Sequence, residues 1–374
     1  MKYVPRIVLF LAIPALLFLV PWWTLIGATT EGSLFWLGSA VFLAGFVCLP
    51  ASMFLGHGPR QHDGASIVGD TLLGLMWVVF SWSVIGNIVG LGLAVGGVDD
   101  PARSRIVAAG VFVIAAALSV SGVIEARRVP RVRTLDVAIR GLGPALDGLR
   151  MVVITDTHYA ALNRLRWSEQ VVDVVNAQQP DIACHAGDLA DGSVEKRHRQ
   201  VDPLGKIEAP LGRFYITGNH EYFGDAPGWI EHMTSIGWQP LRNQHETITR
   251  GDDRLVLAGI DDPTGVSVPG HGPDLRAALA GADPDAPVVL LAHQPRQVTE
   301  AAAAGVALQI SGHTHGGQIW PFHYLVRLEQ PVVAGLSRHG DNTQLYTSRG
   351  TGFWGPQFRV FAPSEITVLV LRSV

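Results

Sequence analysis

The sequence predicts an α/β chain in two parts: four N-terminal transmembrane helices, then an αββα sandwich of two packed sheets with helices outside. Three observations predict this. Four apolar runs in the first third are each long enough to cross a bilayer, which takes about 20 residues. From residue 149 on, short apolar runs alternate with helical spacing, and the last strand-like runs have no helices between them. Several of those short runs end in Asp, Asn or His. The division read from this is a transmembrane region over 1–126, a basic linker and lead-in strand over 127–148, and a catalytic-type domain over 149–374.

The apolar runs are Ile7–Ile26, Leu34–Leu55, Ile67–Val95 and Ile106–Ile124, with Trp22, Trp23 and Trp36 near run ends, as expected of interfacial belts. Lys2 and Arg6 resemble the start of a signal peptide, but no small-x-small site follows and three more runs come after, so the first run reads as an anchor. Gly86 and Gly90 have the spacing for close helix contact, or simply reflect a glycine-rich run. Asn87 reads as a helix–helix hydrogen bond. No Asp, Glu, Lys or Arg is expected deep in a span, which weighs against an ion pathway. Four spans put Lys2, Arg6, Arg60, Arg127, Arg128, Arg131 and Arg133 on one side and Arg103 and Arg105 on the other. By the positive-inside rule the C-terminal part then lies on the cytoplasmic side of the inner membrane.

The linker holds Pro130, a strand-like Leu135–Ile139 and a Gly141–Pro144 turn. Met151–Thr155, Asp181–Ala186, Phe214–Thr217, Leu255–Ile260, Val288–Ala292 and Val306–Ile310 read as strands. Leu345–Ser348, Phe358–Phe361 and Glu365–Leu371 follow. Leu165–Gln178, Trp229–Ile236 and Leu275–Leu279 read as helices, the first from Trp167, Val171, Val174 and Val175 at helical spacing. Residues 135–374 carry 19 basic and 26 acidic groups, against the basic face that nucleic acid requires. The two cysteines, Cys48 and Cys184, are too few for a thiolate metal site, and a pairing between a span and a buried strand is not expected.

The strand ends carry the chemistry. Asp156 and His158 follow the first strand, Asp188 the second, Asn219, His220 and Glu221 the third, His293 the fifth, and His313 and His315 the sixth. Open α/β sheets place their crevice outside the carboxyl ends of strands. In an extended stretch His313 and His315 point to one side, among glycines that admit close approach. Seven oxygen and nitrogen ligands exceed what one open catalytic ion takes. They fit two divalent cations about 4 Å apart that share a carboxylate, with Asp188 as the bridge.

In this order, Asp-x-His, Gly-Asp, Gly-Asn-His-Glu, His and Gly-His-x-His resemble the calcineurin-like metallophosphoesterases over residues 149–374. The resemblance implies that Asp156, His158 and His315 hold one ion and that Asn219, His293 and His313 hold the other. It makes His220 the proton donor, oriented by Glu221 or another carboxylate. It implies a phosphoester substrate and two divalent ions, with Mn expected and Fe, Co or Zn as alternatives, since N/O ligands alone do not choose among them. The stretch Gly312–Gln318 and Ser348-Arg349-Gly350 resemble the membrane-associated bacterial branch, some members of which hydrolyse UDP-2,3-diacylglucosamine. Gly187–Gly192 lacks the Arg usual in protein phosphatases, and Thr155 stands where Ser is common.

The leading expectation is a membrane-anchored phosphohydrolase cleaving a phosphodiester or pyrophosphate, with a lipid-linked substrate and no nucleic-acid partner. The competing one is a non-catalytic sensor or partner-binding module on the same scaffold; a transporter is disfavoured by the uncharged spans. Tyr159 and Asp191 read equally as pocket lining or as turn and supporting residues. His185 reads as a core histidine. His57, His62, His323 and His339 read as solvated loop histidines, Arg349 and Arg359 as phosphate-binding groups or, the commoner fate, surface ion pairs, and Asp261-Asp262-Pro263 as a turn.

Overall fold

The computed structural model describes residues 4–58 and 61–374, with side chains from residue 12 onward. Lys2, Arg60 and the side chain of Arg6, used above for orientation, lie outside the described residues. The chain divides into two compact units. One holds the residues up to Glu125 plus Ile319–Pro321 and Gly355–Val360; the other holds Ala126–Gln318, Phe322–Trp354 and Phe361–Val374.

In the first unit, α1 (Val4–Trp22) runs into a π turn at Trp23–Gly27, followed by α2 (Gly32–His57), α3 (Asp63–Val95) and α4 (Ala102–Arg127). Among the described residues three helices, α2 to α4, are long and apolar enough to cross a membrane. The fourth expected span is a shorter apolar helix, Ala12–Gly27. That stretch belongs to α1 and the π turn after it, and Pro14 and Pro21 lie inside α1. A Cβ on Gly86 would collide with Val111, and one on Gly90 would come within 3.2 Å of Val107, so both glycines admit α4. The Asn87 amide donates to Thr24 Oγ1 at 2.7 Å.

Asp70, near the start of α3, is buried, and its carboxylate lies 2.8 Å from His57 Nε2. Three expectations fail here. His57 ends α2 instead of lying in a loop. Residues Phe358–Phe361 form no strand; Val360 makes one bridge to Ile319. Their apolar side chains are satisfied differently, since Val78, Ala115, Ile319, Phe358 and Val360 share one cluster. Trp77 donates to the Ile319 carbonyl at 3.1 Å, and Arg359 N–H donates to the Gly122 carbonyl at 2.9 Å. Arg359 is buried, not a surface residue.

The second unit contains β1 (Arg131–Ile139), β2 (Arg150–Ile154), α5 (Leu165–Ala177), β3 (Ile182–His185), α6 (Val194–Val201), β4 (Arg213–Tyr215), α7 (Asn219–Phe223), α8 (Ala226–Ser235) and β5 (Gln239–Pro240). After these come β6 (Gln244–Arg250), β7 (Asp253–Gly259), α9 (Leu275–Ala278), β8 (Val288–Leu291), α10 (Val298–Ala303), β9 (Leu308–Ser311), α11 (His323–Val326), β10 (Gly335–His339), β11 (Thr343–Thr347) and β12 (Glu365–Ser373). One sheet has the order β1-β12-β2-β3-β4-β5 and the other β10-β11-β9-β8-β7-β6. Strands β2 to β5 run parallel, as do β7 to β9.

The inner core lies between the sheets and joins Val137, Met151, Val153, Cys184 and Leu369 to Leu257, Leu291 and Ile310. Alternate residues of the same strands face outward. Val152, Ile154 and Ala183 meet Trp167, Val171 and Val175 of α5 and Trp229 of α8. Ala258, Leu290 and Ala292 meet Leu275 and Ala301 of α9 and α10. This is the expected αββα sandwich. The tail strands, however, split between the sheets: β11 pairs parallel to β9, whereas β12 lies between β1 and β2. Strands β6 and β10, mostly polar and with Ile248 alone buried, and the short, strongly polar α6 have no apolar period from which to be read.

Candidate metal centre

Three of the parallel strands, β2, β3 and β9, end by turning the backbone sharply. Asp156, His158, Asp188, His313 and His315 all have positive φ, between 43° and 71°. Non-glycine residues rarely adopt this conformation, and it persists where the surroundings over-determine it. Asp156 N–H donates to Gly187 O at 2.9 Å and His158 N–H to Asp188 O at 3.2 Å, so the β2 and β3 loops are stitched together. Gly187, at φ 94°, has no room for a Cβ, which would come within 2.6 Å of His293 Nδ1 and 2.7 Å of Gly218 N.

The side chains form three ligand-type groups: Asp156, His158 and His315; Asp188, His293 and His313; and His158, Asp191 and His220. Asn219 joins the second through its Oδ1, 2.8 Å from His313 Nδ1. His313 and His315 therefore face different groups. The extended alternation expected of them fails because His313, His315 and Gly316 all adopt left-handed backbone. Asp188 stands between the groups: its Oδ2 lies 3.1 Å from His293 Nε2 and 3.6 Å from His158 Nε2.

These atoms fit cations. His293 Nδ1–H donates to the Ala186 carbonyl at 2.8 Å, which leaves Nε2 as a lone pair facing a carboxylate. That Nε2 is buried, with Asp188 Oδ2 at 3.1 Å. An imidazole that donates its other N–H to a backbone carbonyl is the usual support of a metal ligand. His158 Nε2 and His315 Nε2 likewise converge to 3.0 Å. Without a cation a proton must take such a place. Burial works against the charge on His293, but Asp188 beside it holds the imidazolium well above its ordinary range. Burial and the neighbouring His293 push His313 down to about 3, the neutral form a ligand needs. Burial likewise opposes the Asp188 carboxylate, yet His293 and His220 hold it well below the usual carboxylate range. Burial pushes Asp156 up.

His220 is held by Asp191, not Glu221: Nδ1 lies 2.6 Å from Asp191 Oδ1. Burial disfavours its charge, but Asp191 and Asp188 prevail and raise it to about 9. Glu221 braces the backbone, accepting from Gly218 N at 2.6 Å, Leu189 N at 2.7 Å and Asp188 N at 3.1 Å. His185 is a buried core residue against Thr157 Oγ1 at 3.1 Å. Tyr159 is buried and bonded to Ser168.

Arg349 pairs with Glu365 at 3.2 Å. Of the remaining histidines expected in loops, His62 caps α3, His323 opens α11 and His339 closes β10. The turn at Asp261–Pro263 is present, but Asp262 is buried and accepts from Gln294, the residue after His293, at 2.8 Å. The strand-end rule that picked the candidate ligands, applied to Leu255–Ile260, points to this turn as well.

Comparison with known proteins agrees with the site. The family model described as calcineurin-like phosphoesterase matches residues 149–317. A Danio rerio protein named transmembrane protein with metallophosphoesterase domain is 36% identical over 270 residues, 70% of this chain and 62% of the relative. Its Bos taurus namesake is 35% identical over 293 residues, 75% of this chain and 66% of the relative. An uncharacterized metallophosphoesterase of Campylobacter jejuni is 34% identical over 264 residues, 70% of this chain and 67% of the relative. The chain thus spans just under two thirds of the vertebrate relatives' length.

Proposed function

The chain belongs to the calcineurin-like metallophosphoesterase family, and from that premise we propose a membrane-anchored, dinuclear metal-dependent phosphohydrolase that cleaves a phosphodiester or pyrophosphate bond. Residues 149–374 form its catalytic domain, on the cytoplasmic side of the inner membrane. The observation that carries this reading is Asp188 Oδ2 set between His293 Nε2 and His158 Nε2. Asp156, His158 and His315 would hold one ion, Asn219, His293 and His313 the other, with Asp188 serving both; Mn is the expected metal. When bound, such a pair supplies Lewis-acid polarisation of the phosphoryl group and acidifies a water nucleophile.

The chain's own residues do the rest. His220, with Nδ1 fixed on Asp191, presents Nε2 to the leaving oxygen and donates the proton that the departing alkoxide needs. Glu221 fixes the two loops that carry Asp188 and Asn219. The apolar helices favour a lipid-linked substrate, and UDP-2,3-diacylglucosamine is the first to assay.

The experiment is Mn²⁺-dependent release of p-nitrophenol from bis(p-nitrophenyl) phosphate by the full chain in detergent, with Asp188→Asn as control. Activity lost in the variant supports the proposal. No turnover with any divalent ion favours a non-catalytic sensor or binding module.

A further inference from the structure

Two aromatic side chains stand beside the proton donor with most or nearly half of their surface in water: Phe223 is 67% exposed and Trp354 is 45% exposed. Their rings lie 5.3 Å and 6.0 Å from the His220 imidazole, steeply inclined to it at 69° and 72°. On another side of the imidazole His158 stands at 4.5 Å. Neither ring is placed by chance. Phe223 ends α7, one helical turn after His220, so the two share a face. Trp354 is tied to Gln318, three residues after His315, by two bonds. Its N–H donates to Gln318 Oε1 at 2.9 Å, and Gln318 Nε2 donates to its carbonyl at 2.8 Å. Both residues thus sit on backbone tied to the segments that carry the candidate ligands.

The scissile oxygen of a phosphoester must come within hydrogen-bond reach of His220 Nε2, because Nδ1 is engaged by Asp191. Whatever that oxygen belongs to then lies against Phe223 and Trp354. Exposed aromatic rings gain from covering by a flat, apolar face, and ring–ring contacts add to area burial. We propose that Phe223 and Trp354 are specificity residues lining a leaving-group subsite for an alcohol that carries a flat ring next to its ester oxygen. The inference rests on the phosphohydrolase reading for its orientation, and it adds the chemistry of the group released.

The test uses the full chain in detergent with Mn²⁺ and two diesters, benzyl methyl phosphate and cyclohexylmethyl methyl phosphate. They release primary alcohols of similar size, one with a flat ring and one puckered. Wild type is expected to favour the benzyl ester. Trp354→Ala and Phe223→Ala should each lower kcat/KM for it roughly tenfold, as loss of ring stacking does elsewhere. The cyclohexylmethyl ester should change less than about twofold, and Trp354→Phe should restore much of the loss. Equal losses on both esters, or an octyl methyl phosphate turned over better than the benzyl ester, would overturn the subsite. Binding of benzylphosphonate against cyclohexylmethylphosphonate, measured by calorimetry, gives the same comparison without turnover. A benzyl preference there, lost in Trp354→Ala, sustains the subsite even if hydrolysis fails; no preference refutes it.

Discussion

Asp191 Oδ1 lies 2.6 Å from His220 Nδ1 and 3.2 Å from His158 Nδ1, so one carboxylate orients both the candidate proton donor and a candidate ligand. As a positioning residue it fixes which nitrogen of His220 faces substrate. Asp191→Asn should lower kcat by about 10²-fold or more with KM little changed, within the range of general acid catalysis. The loss should be larger for an alkyl ester, whose alkoxide needs the proton, than for a p-nitrophenyl ester, which does not. Equal losses on both esters would assign Asp191 a purely structural role.

Asp188 is placed to serve both ligand groups. Wild type should carry two divalent ions per chain by elemental analysis, and Asp188→Asn should retain fewer while keeping its far-ultraviolet circular dichroism. Chelation should abolish activity and leave the secondary structure intact, because the core between the sheets is apolar and does not include the ligands. Added metal in hundredfold excess over Kd should raise stability by about 2.7 kcal/mol by mass action. Two ions bound to the variant as in wild type would exclude Asp188 as the bridge.

Gly187 sits where φ is 94° and a Cβ would press on His293 and on the Gly218 backbone. Gly187→Ala should cost about 1–3 kcal/mol from strain alone. The push on His293 should lower metal affinity as well. Calorimetric titration with Mn²⁺ on the folded variant checks the second effect separately. An unchanged affinity would show that the loop can yield.

Gly86 leaves no room for a side chain against Val111. Gly86→Val should destabilise the helical unit by about 1–3 kcal/mol through overpacking. Asn87→Leu, which removes the bond to Thr24, should cost less, about 0.6 kcal/mol. Thermal unfolding in detergent ranks the two; the reverse order would contradict the close approach of α3 and α4.

The sandwich was legible because its buried strands are short apolar runs. Val152, Val153 and Ile154 fill both faces of β2, so the pattern needs no partner to be recognised. The candidate ligands were legible because each follows such a run. Their grouping was not. Whether His313 and His315 share a target depends on left-handed backbone at residues that ordinarily avoid it, and that backbone is held by contacts from distant loops. Asp191 was ambiguous for the same reason, since its partner His220 lies 29 residues on. Asp70 escaped notice because its partner His57 stands on a different helix. Strand β12 was readable as a strand, but its place between β1 and β2 follows from pairing across more than 200 residues.

Ile319–Pro321 and Gly355–Val360 come late in the chain, yet they pack with the helices of the first unit. Cutting the polypeptide after α4 should therefore not free a clean water-soluble domain. Such a fragment would uncover Ile319, Phe358 and Val360 together with the unmet carbonyl of Ile319, giving a greasy, sticky face. Expression trials that discard the helices should meet aggregation at these two strips, and polar replacements there offer a rational way to a secreted or cytosolic version for assay.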